Sequence, residues 1–355
     1  MKSTKRGLVL IPKSRFPKPS PDALVINGQT QWGTFDTALS KINLLDSENP
    51  LGTKFPKFLK PFRLKEWEAF QIDSEDYFVL GAIYQTNVAS LNILSLWDKK
   101  KNTLQTWQSY ARPSQLVMAD NLIESVNHLS TSNSSLWFHN QLKKGLCRIE
   151  GRFKGKNKDK PNFSLNCLLT SCSKPSVVSM PLGKNRGLYT HKEVFNISGS
   201  MQIGVEKITF TDSNLAIIDD HKGFYPYKLH YDWITGMETH ENGDVLAFNL
   251  TKNQVIKPVE YNENLLWLNG ERHPLPPVQF EHQMDGTWHI RDDIGYVDLV
   301  MKPEQHLIIK NDFIVSKIDY HAPFGTFSGT LKDQMGKPHQ VKCAYGMGEN
   351  KTYRL

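Results

Sequence analysis

Short segments in which apolar and polar residues alternate recur along almost the whole chain, and they constrain the fold more than any other feature. Val, Ile, Phe, Tyr and Trp dominate these segments, and Gly, Asn, Asp or Pro separates one from the next. Residues 146–153 alternate in this way, and Asn242-Gly243 and Asn269-Gly270 are typical of hairpin turns. A period of two residues is that of a half-buried strand. The pattern predicts an all-β chain built as barrels or sandwiches.

Helical periodicity is scarce. One segment, residues 113–127, places Leu116, Met118, Leu122 and Val126 on roughly one side of a helix. Such a stripe predicts a short amphipathic helix. We therefore expect at most one or two short helices in the whole chain.

The length of 355 residues favours two domains, because single hydrophobic cores stop growing at about 250–300 residues. The segment from 173 to 192 contains Pro175, Pro181, Gly183 and Gly187, which is the composition of a linker. We predict an N-terminal β-barrel-like domain with a basic arm over residues 1–185. A C-terminal β-barrel-like domain is predicted over residues 186–355.

The net charge of +7 is concentrated in the N-terminal arm, residues 2–18, and in residues 143–160. Basic runs of this kind are usually solvated arms and loops, so we predict no nucleic-acid partner. The four cysteines lack the paired spacing of zinc sites, and no metal is predicted. Their low number suits free thiols in a reducing compartment.

The apolar run at residues 7–11 is shorter than the core of a signal peptide, and Pro12 ends it. No segment approaches the roughly 20 apolar residues of a membrane helix. The sequence therefore predicts no integral membrane association and a cytoplasmic location. It also has no glycine-rich phosphate loop, so no cofactor is predicted.

Residues 219–233 form the densest polar and aromatic segment of the chain. Strand parity places His230 and Asp232 on one face, away from Trp233. A carboxylate beside a His or Lys can perform acid–base chemistry, because burial and pairing shift either pKa towards neutrality. The alternative is a buried ion-pair network that fixes the fold. The candidate catalytic residues are Asp219, Asp220, His221, Lys222, His230 and Asp232.

A second polar cluster pairs Glu66 with Glu68 by strand parity. Paired carboxylates suggest acid–base chemistry or metal binding, and the alternative is a salt-bridged outer face. Tyr189 and His191 lie at the predicted domain junction, where ligand sites often form. Aromatic neighbours of both clusters suit a pocket wall or a core. The candidate ligand-binding residues are Trp67, Glu66, Tyr189, His191, Tyr225, Tyr227 and Trp233.

Residues 219–226, followed by Asp232-Trp233, resemble the signature of the domain-of-unknown-function 2804 family. Matching segments occur at residues 63–67, 189–192 and 320–329. The chain departs from the family pattern after Glu349, where a basic residue or His and then a Trp are expected. The resemblance implies two calycin or lipocalin-like antiparallel β-barrels in tandem, similar to proteins that include carotenoid hydratases and tocopherol cyclases.

Together these features suggest binding of a hydrophobic or amphipathic small molecule in a barrel or inter-domain cavity. Cofactor-free acid–base chemistry on that molecule, such as hydration, isomerisation or cyclisation, is the leading hypothesis. A non-catalytic carrier of the same fold and a carbohydrate-active β-sandwich are the alternatives. The sequence leaves open whether the Glu66 and Asp232 clusters share one site.

Overall fold

The computed structural model describes residues 11–85, 89–157, 159–312 and 317–354. Strands account for 59% of the structure and helical turns for 6%, which confirms the all-β prediction. The strands are β1 (Val25–Ile26), β2 (Gln29–Thr30), β3 (Gly33–Phe35), β4 (Leu64–Asp73), β5 (Tyr77–Gln85), β6 (Ser90–Asp98), β7 (Thr103–Ala111), β8 (Leu116–Val117), β9 (Ser125–Ser130), β10 (Ser134–Gln141), β11 (Leu146–Phe153), β12 (Phe163–Ser171), β13 (Ser176–Pro181), β14 (Gly187–Ile203), β15 (Glu206–Thr209), β16 (Leu215–Phe224), β17 (Lys228–Thr239), β18 (Val245–Lys252), β19 (Leu265–Leu268), β20 (Glu271–Pro274), β21 (Gln279–His282), β22 (Trp288–Arg291), β23 (Val297–Asp312), β24 (Lys317–Lys332) and β25 (Pro338–Arg354).

The helical elements are short. One α-helix, α1, spans Lys60–Arg63. The 3₁₀ turns are Lys13–Arg15, Leu44–Asp46, Lys57–Leu59, Pro113–Gln115 and Leu142–Lys144.

The strands pair antiparallel in two large sheets. The first has 14 strands and runs β7-β6-β5-β4-β16-β14-β12-β11-β10-β9-β8, with β3, β13 and β15 attached beside it. The second has nine, in the order β20-β19-β18-β17-β25-β24-β23-β22-β21. The first sheet curls until Asn92 on β6 donates to the Leu129 carbonyl oxygen of β9 at 3.0 Å. One sheet is a nearly closed barrel and the other a half-barrel, which confirms the barrel prediction.

Alternation follows the sequence where a strand has one solvated face. Strand β11 alternates buried and exposed positions from Cys147 to Phe153, as its sequence predicts. Strand β16 is different, because all ten of its residues are buried. One face of β16 points into the first barrel, and the other packs against the second sheet. Its central residues Asp219 to Lys222 are therefore polar groups with no solvated side.

The contact between the sheets is a continuous apolar core. Phe78, Leu80 and Trp97 of the first sheet pack in one cluster with Trp233 and Phe324 of the second. The ring centroids of Phe78 and Phe324 lie 6.1 Å apart in an edge-on arrangement. Separate cores fill the first barrel and the second sheet.

The structure corrects two predictions about local structure. Residues 113–127 are not a helix: Pro113–Gln115 is a 3₁₀ turn and Leu116–Val117 is strand β8. Leu116 pairs with Leu129, so backbone hydrogen bonds across strands take the place of those within a helix. Residues 173–192 are not a linker either, because they contain β13 and the start of β14, both in the first sheet.

The chain passes from the first sheet to the second between β16 and β17, at residues 225–227. The division into folding units at residues 185 and 186 stays a prediction. The predicted hairpin turns are confirmed, since Asn242-Gly243 joins β17 to β18 and Asn269-Gly270 joins β19 to β20. Asn269 and Gly270 have φ values of 47° and 83°, which such tight turns require.

The basic N-terminal arm is only partly within the described residues, which begin at residue 11. The sequence predicts a solvated arm, but Arg15 is buried. Its guanidinium donates to the carbonyl oxygens of Leu275 and Asn264, each at 2.8 Å, and so ties the arm to the second sheet. All four cysteines are free; Cys147 and Cys167 are buried.

Candidate functional site

Strand β16 divides the predicted catalytic residues between two environments. Successive side chains of a strand point to opposite faces. Asp219 and His221 therefore point towards the second sheet, and Asp220 and Lys222 point into the first barrel. The pairing of β16 with β4 places His221 opposite Trp67, and Asp220 opposite Glu68.

His221 is held between two aromatic side chains on the side of the second sheet. Its ring stacks on Trp67 with centroids 3.9 Å apart and planes 7° apart. Its Nε2 hydrogen bonds to the hydroxyl of Tyr225. Its other ring nitrogen, Nδ1, is buried with no hydrogen-bond partner among the described residues.

Burial lowers the pKa of His221 well below its ordinary value, and the charges of Lys192 and Lys351 lower it further. Burial also raises the pKa of Tyr225 well above that of a free phenol. The pair is therefore a neutral imidazole bonded to a neutral phenol at physiological pH. In either tautomer, Nδ1 is left to accept a proton from a bound molecule or donate one to it.

Three further side chains complete this aromatic group. Tyr84 lies 5.5 Å from Trp67, and Tyr353 lies 6.3 Å from Tyr225, between ring centroids. The Lys351 ammonium lies 5.3 Å from the Tyr84 ring and 5.7 Å from the Tyr353 ring. We call this group the inter-sheet site, defined by Trp67, Tyr84, His221, Tyr225, Lys351 and Tyr353.

The inter-sheet site extends from partly exposed side chains to buried ones. Trp67, Tyr84 and Lys351 are partly exposed, whereas His221 and Tyr225 are buried. The Tyr353 hydroxyl has no hydrogen-bond partner among the described residues. Two unpartnered polar atoms thus lie among aromatic rings behind a partly exposed rim.

A buried ion network lies deeper between the sheets. The Lys192 ammonium is 2.6 Å from Asp219 and 3.2 Å from Glu263. Burial alone would lower the pKa of Lys192, but the two carboxylates raise it. Burial raises the pKa of Asp219 to about 6 against the opposing effect of Lys192. Trp233 packs alongside, with its ring centroid 5.8 Å from the ammonium.

The opposite face of β16 carries a second polar cluster inside the first barrel. The Lys222 ammonium lies 3.0 Å from Glu66 and also donates to the Ala119 carbonyl oxygen. Glu68 accepts hydrogen bonds from Asn127 at 2.6 Å and from Asn140 at 2.9 Å. The alternative of a salt-bridged outer face is wrong for Glu68, which is fully buried.

Asp220 is the least satisfied group of this cluster. It is fully buried, and neither carboxyl oxygen has a hydrogen-bond partner among the described residues. Burial raises its pKa to about 8, although Lys222 opposes the shift. Burial likewise raises the pKa of Glu68 to about 7, opposed by its two asparagine partners. Burial therefore favours the protonated form of Asp220.

Tyr189 and His191, on β14, also face the first barrel. They pair with Lys222 and Asp220 of β16, respectively. Tyr189 is fully buried in an apolar cluster with N-terminal residues such as Leu24 and Phe35. His191 Nε2 lies 3.3 Å from Glu193. These two residues lie on the opposite side of the sheet from the inter-sheet site.

His230 and Asp232 form a third group, at the second sheet. They share a face, as parity predicts, and His230 Nε2 lies 3.5 Å from Asp232. His282 and Asn350 also hold the Asp232 carboxylate, at 2.9 and 2.7 Å. Tyr227 is 53% exposed, in the turn between the sheets.

The predicted residues thus fall into three places. Sequence reasoning does not single out Tyr84, Lys351 or Tyr353 as site residues. Tyr84 lies on β5, directly opposite Trp67 of β4. Lys351 and Tyr353 lie on β25, which reaches the site only because the second sheet packs on the first. The sequence leaves open whether Glu66 and Asp232 share one site. In the structure they belong to different clusters.

No helix within residues 11–85, 89–157, 159–312 and 317–354 is long and apolar enough to cross a membrane. The cytoplasmic location stays a prediction. In the same part of the chain, no three His, Cys, Asp or Glu side chains are arranged to hold a metal ion.

The fold is similar to that of solved barrel proteins. A crystal structure of CghA with Sch210972 has a TM-score of 0.54 and 11% identity, over 95% of this chain and 97% of that chain. An AttH-like protein from Nitrosomonas europaea has a TM-score of 0.50 and 14% identity, over 84% and 96%. Kievitone hydratase from Nectria haematococca has a TM-score of 0.48 and 12% identity, over 82% and 88%. The first two likenesses concern the fold alone.

A comparison with curated protein sequences gave no match. A family model described as a domain of unknown function does match, and it covers residues 24–355. The resemblance seen in the sequence is thereby confirmed, and the chain belongs to the DUF2804 family.

Proposed function

We propose that the inter-sheet site binds a hydrophobic or amphipathic small molecule and transfers protons to and from it without a cofactor. The observation that carries this proposal is the neutral His221–Tyr225 pair, stacked beneath the partly exposed Trp67. An aromatic wall with a few buried polar groups is the usual make-up of a small-molecule site. The CghA structure holds Sch210972 on a similar fold, which supports the proposal by analogy only.

His221 is the proposed proton carrier. When Tyr225 donates to Nε2, Nδ1 carries the proton and donates a hydrogen bond to the ligand. When Nε2–H donates to Tyr225, the Nδ1 lone pair acts as a base. Because burial disfavours the charged imidazolium, a proton taken from the ligand is returned readily to it. This suits isomerisation, hydration or cyclisation, in which the proton is removed at one atom and returned at another.

The neighbouring charges have supporting roles. Lys351 would stabilise negative charge that develops on the ligand, since an ammonium among aromatic rings is poorly screened by water. Asp219, Lys192 and Trp233 would position the floor of the site. Asp220, Lys222, Glu66, Tyr189 and His191 would hold β16 and β14 from the barrel side. His230, Asp232 and Tyr227 have no part in this scheme.

The first test is native mass spectrometry with organic extraction. An apolar molecule should co-purify with the wild-type chain and be lost from Trp67→Ala. The matched control is Tyr110→Ala, an exposed aromatic residue on β7, and it should retain the molecule. No bound apolar molecule, or equal retention by Trp67→Ala, would refute the binding proposal.

The second test separates catalysis from carriage. The extracted molecule is incubated with the protein in D₂O, and deuterium on its carbon atoms is followed by NMR. Wild type should incorporate deuterium, and His221→Ala and Tyr225→Phe should do so at least about tenfold more slowly, because each removes part of the general acid or base. Tyr110→Phe should match the wild type. Binding without deuterium incorporation would identify a carrier.

A further inference from the structure

Two adjoining grooves cross the outer face of the first sheet, away from the inter-sheet site. Their volumes are about 390 and 490 Å³. They share the side chains of Ser135, Arg152, Ser164 and Gln202. The inward neighbours on these strands, such as Leu136 and Ile149, fill the barrel core. The grooves therefore belong to a solvated face that the proposed function does not use.

Strand register arranges the side chains of the grooves in two parallel rows. The rows lie two residues apart along each strand, which is about 7 Å. The first row is Trp137, Glu150, Asn166 and Ser200. The second row is Ser135, Arg152, Ser164, Gln202 and Lys207.

An aromatic strip borders the first row. The Trp137 ring stacks on His128 with centroids 3.8 Å apart and planes 12° apart. The His139 ring lies 6.0 Å from Trp137 with planes 10° apart. All three rings are partly exposed. His128 covers one face of the Trp137 ring, and Trp137 is the member of the strip that lines the groove, beside a row of amide and hydroxyl groups.

This combination suits a sugar ring. The C–H face of a pyranose packs against an aromatic face, and its hydroxyls form hydrogen bonds with side chains that both donate and accept. The spacing of the rows is also suitable. A sugar on Trp137 would place its neighbour in the chain over the row that contains Arg152.

The charge of the groove selects among sugars. Arg152, Lys154 and Lys207 are exposed, and none of them forms an ion pair within the described part of the chain. Glu150 is the one carboxylate among the described residues that line either groove. An unpaired guanidinium binds a carboxylate through two parallel hydrogen bonds.

We propose that this face binds an acidic oligosaccharide, with one sugar ring on Trp137 and the carboxylate of the next sugar on Arg152. Lys154 and Lys207 extend the positive surface on either side. The site is independent of the inter-sheet site, because the packed core of the barrel separates the two.

The test is isothermal titration calorimetry of the full chain with a hexamer of galacturonic acid at low ionic strength, where charge contacts are least screened. Saturable binding should weaken at least about tenfold in Trp137→Ala and in Arg152→Gln, because each removes one of the two anchoring contacts. Tyr110→Ala is the matched control and should bind as the wild type does. Arg152→Gln changes an exposed side chain, so it keeps the test valid if Trp137→Ala fails to fold.

Two further probes identify the ligand class. Cellohexaose, a neutral hexamer, should bind at least about tenfold more weakly than the acidic one, because it lacks the carboxylate. A hexamer of thymidylate tests whether any polyanion is accepted. The proposal is overturned by absence of galacturonate binding, by variants that bind as the wild type does, or by tighter binding of the thymidylate hexamer.

Discussion

Replacing Asp220 by Asn should flatten the dependence of stability on pH. Asp220 is buried without a hydrogen-bond partner among the described residues, and burial raises its pKa from 3.8 to about 8. A raised carboxyl pKa means that the folded state holds its proton where the unfolded chain has lost it. Its contribution to stability is therefore complete below about pH 4 and declines as the pH rises towards 8.

The magnitude follows from one proton. Between pH 5 and 7 the folded protein keeps the Asp220 proton and the unfolded chain does not. The free energy of unfolding then falls by about 1.4 kcal/mol per pH unit, or about 3 kcal/mol over that interval. The amide introduced by Asp220→Asn has no proton to lose, so the variant should lack this part of the decline. Asp219 also has a raised pKa, and its share of the slope should persist.

The assay is equilibrium denaturation of wild type and Asp220→Asn at pH 5, 6 and 7. The difference between the two free energies of unfolding should change by about 3 kcal/mol across the series. Asp293→Asn changes an exposed aspartate and is the control, which should parallel the wild type. If Asp220→Asn also parallels the wild type, Asp220 is ionised in the folded protein and the reasoning from its burial is wrong.

Two other substitutions test the buried ion network between the sheets and the core of the first barrel. Lys192→Met should lower the free energy of unfolding by about 3–5 kcal/mol, because Asp219 and Glu263 would lose their shared cation; denaturation at pH 7 checks this, and a loss below about 1 kcal/mol would contradict it. Gly81→Ala should cost about 1–3 kcal/mol, because its Cβ would lie 2.3 Å from the Phe70 ring; thermal unfolding checks this, and an unchanged Tm would contradict it.

The sequence predicts a strand well where one face of that strand is exposed to solvent. Strand β11 has the bounds that the alternation over residues 146–153 predicts, because alternation and burial agree there. The prediction of a helix at residues 113–127 is wrong because its stripe rests on a few apolar residues. Leu116 finds its partner Leu129 across a sheet instead. The local sequence pattern does not indicate which residues pair across a sheet.

The site is harder to predict for a related reason. Parity separates Asp219 and His221 from Asp220 and Lys222, but it does not say which face meets which core. Both faces of β16 are buried, so neither carries the usual contrast of polar and apolar residues. Lys351 and Tyr353 come from β25, far along the chain. Only the packing of the second sheet on the first brings them to His221.

The burial of β16 on both faces also limits insertions and deletions within this strand. Inserting or deleting one residue before Asp219 would turn every later side chain of the strand to the other face. His221 would then point into the barrel, and Lys222 would point towards the second sheet. Length variation among family members should therefore fall in turns such as 240–244. The four polar residues, 219–222, should keep a fixed distance from both ends of the strand.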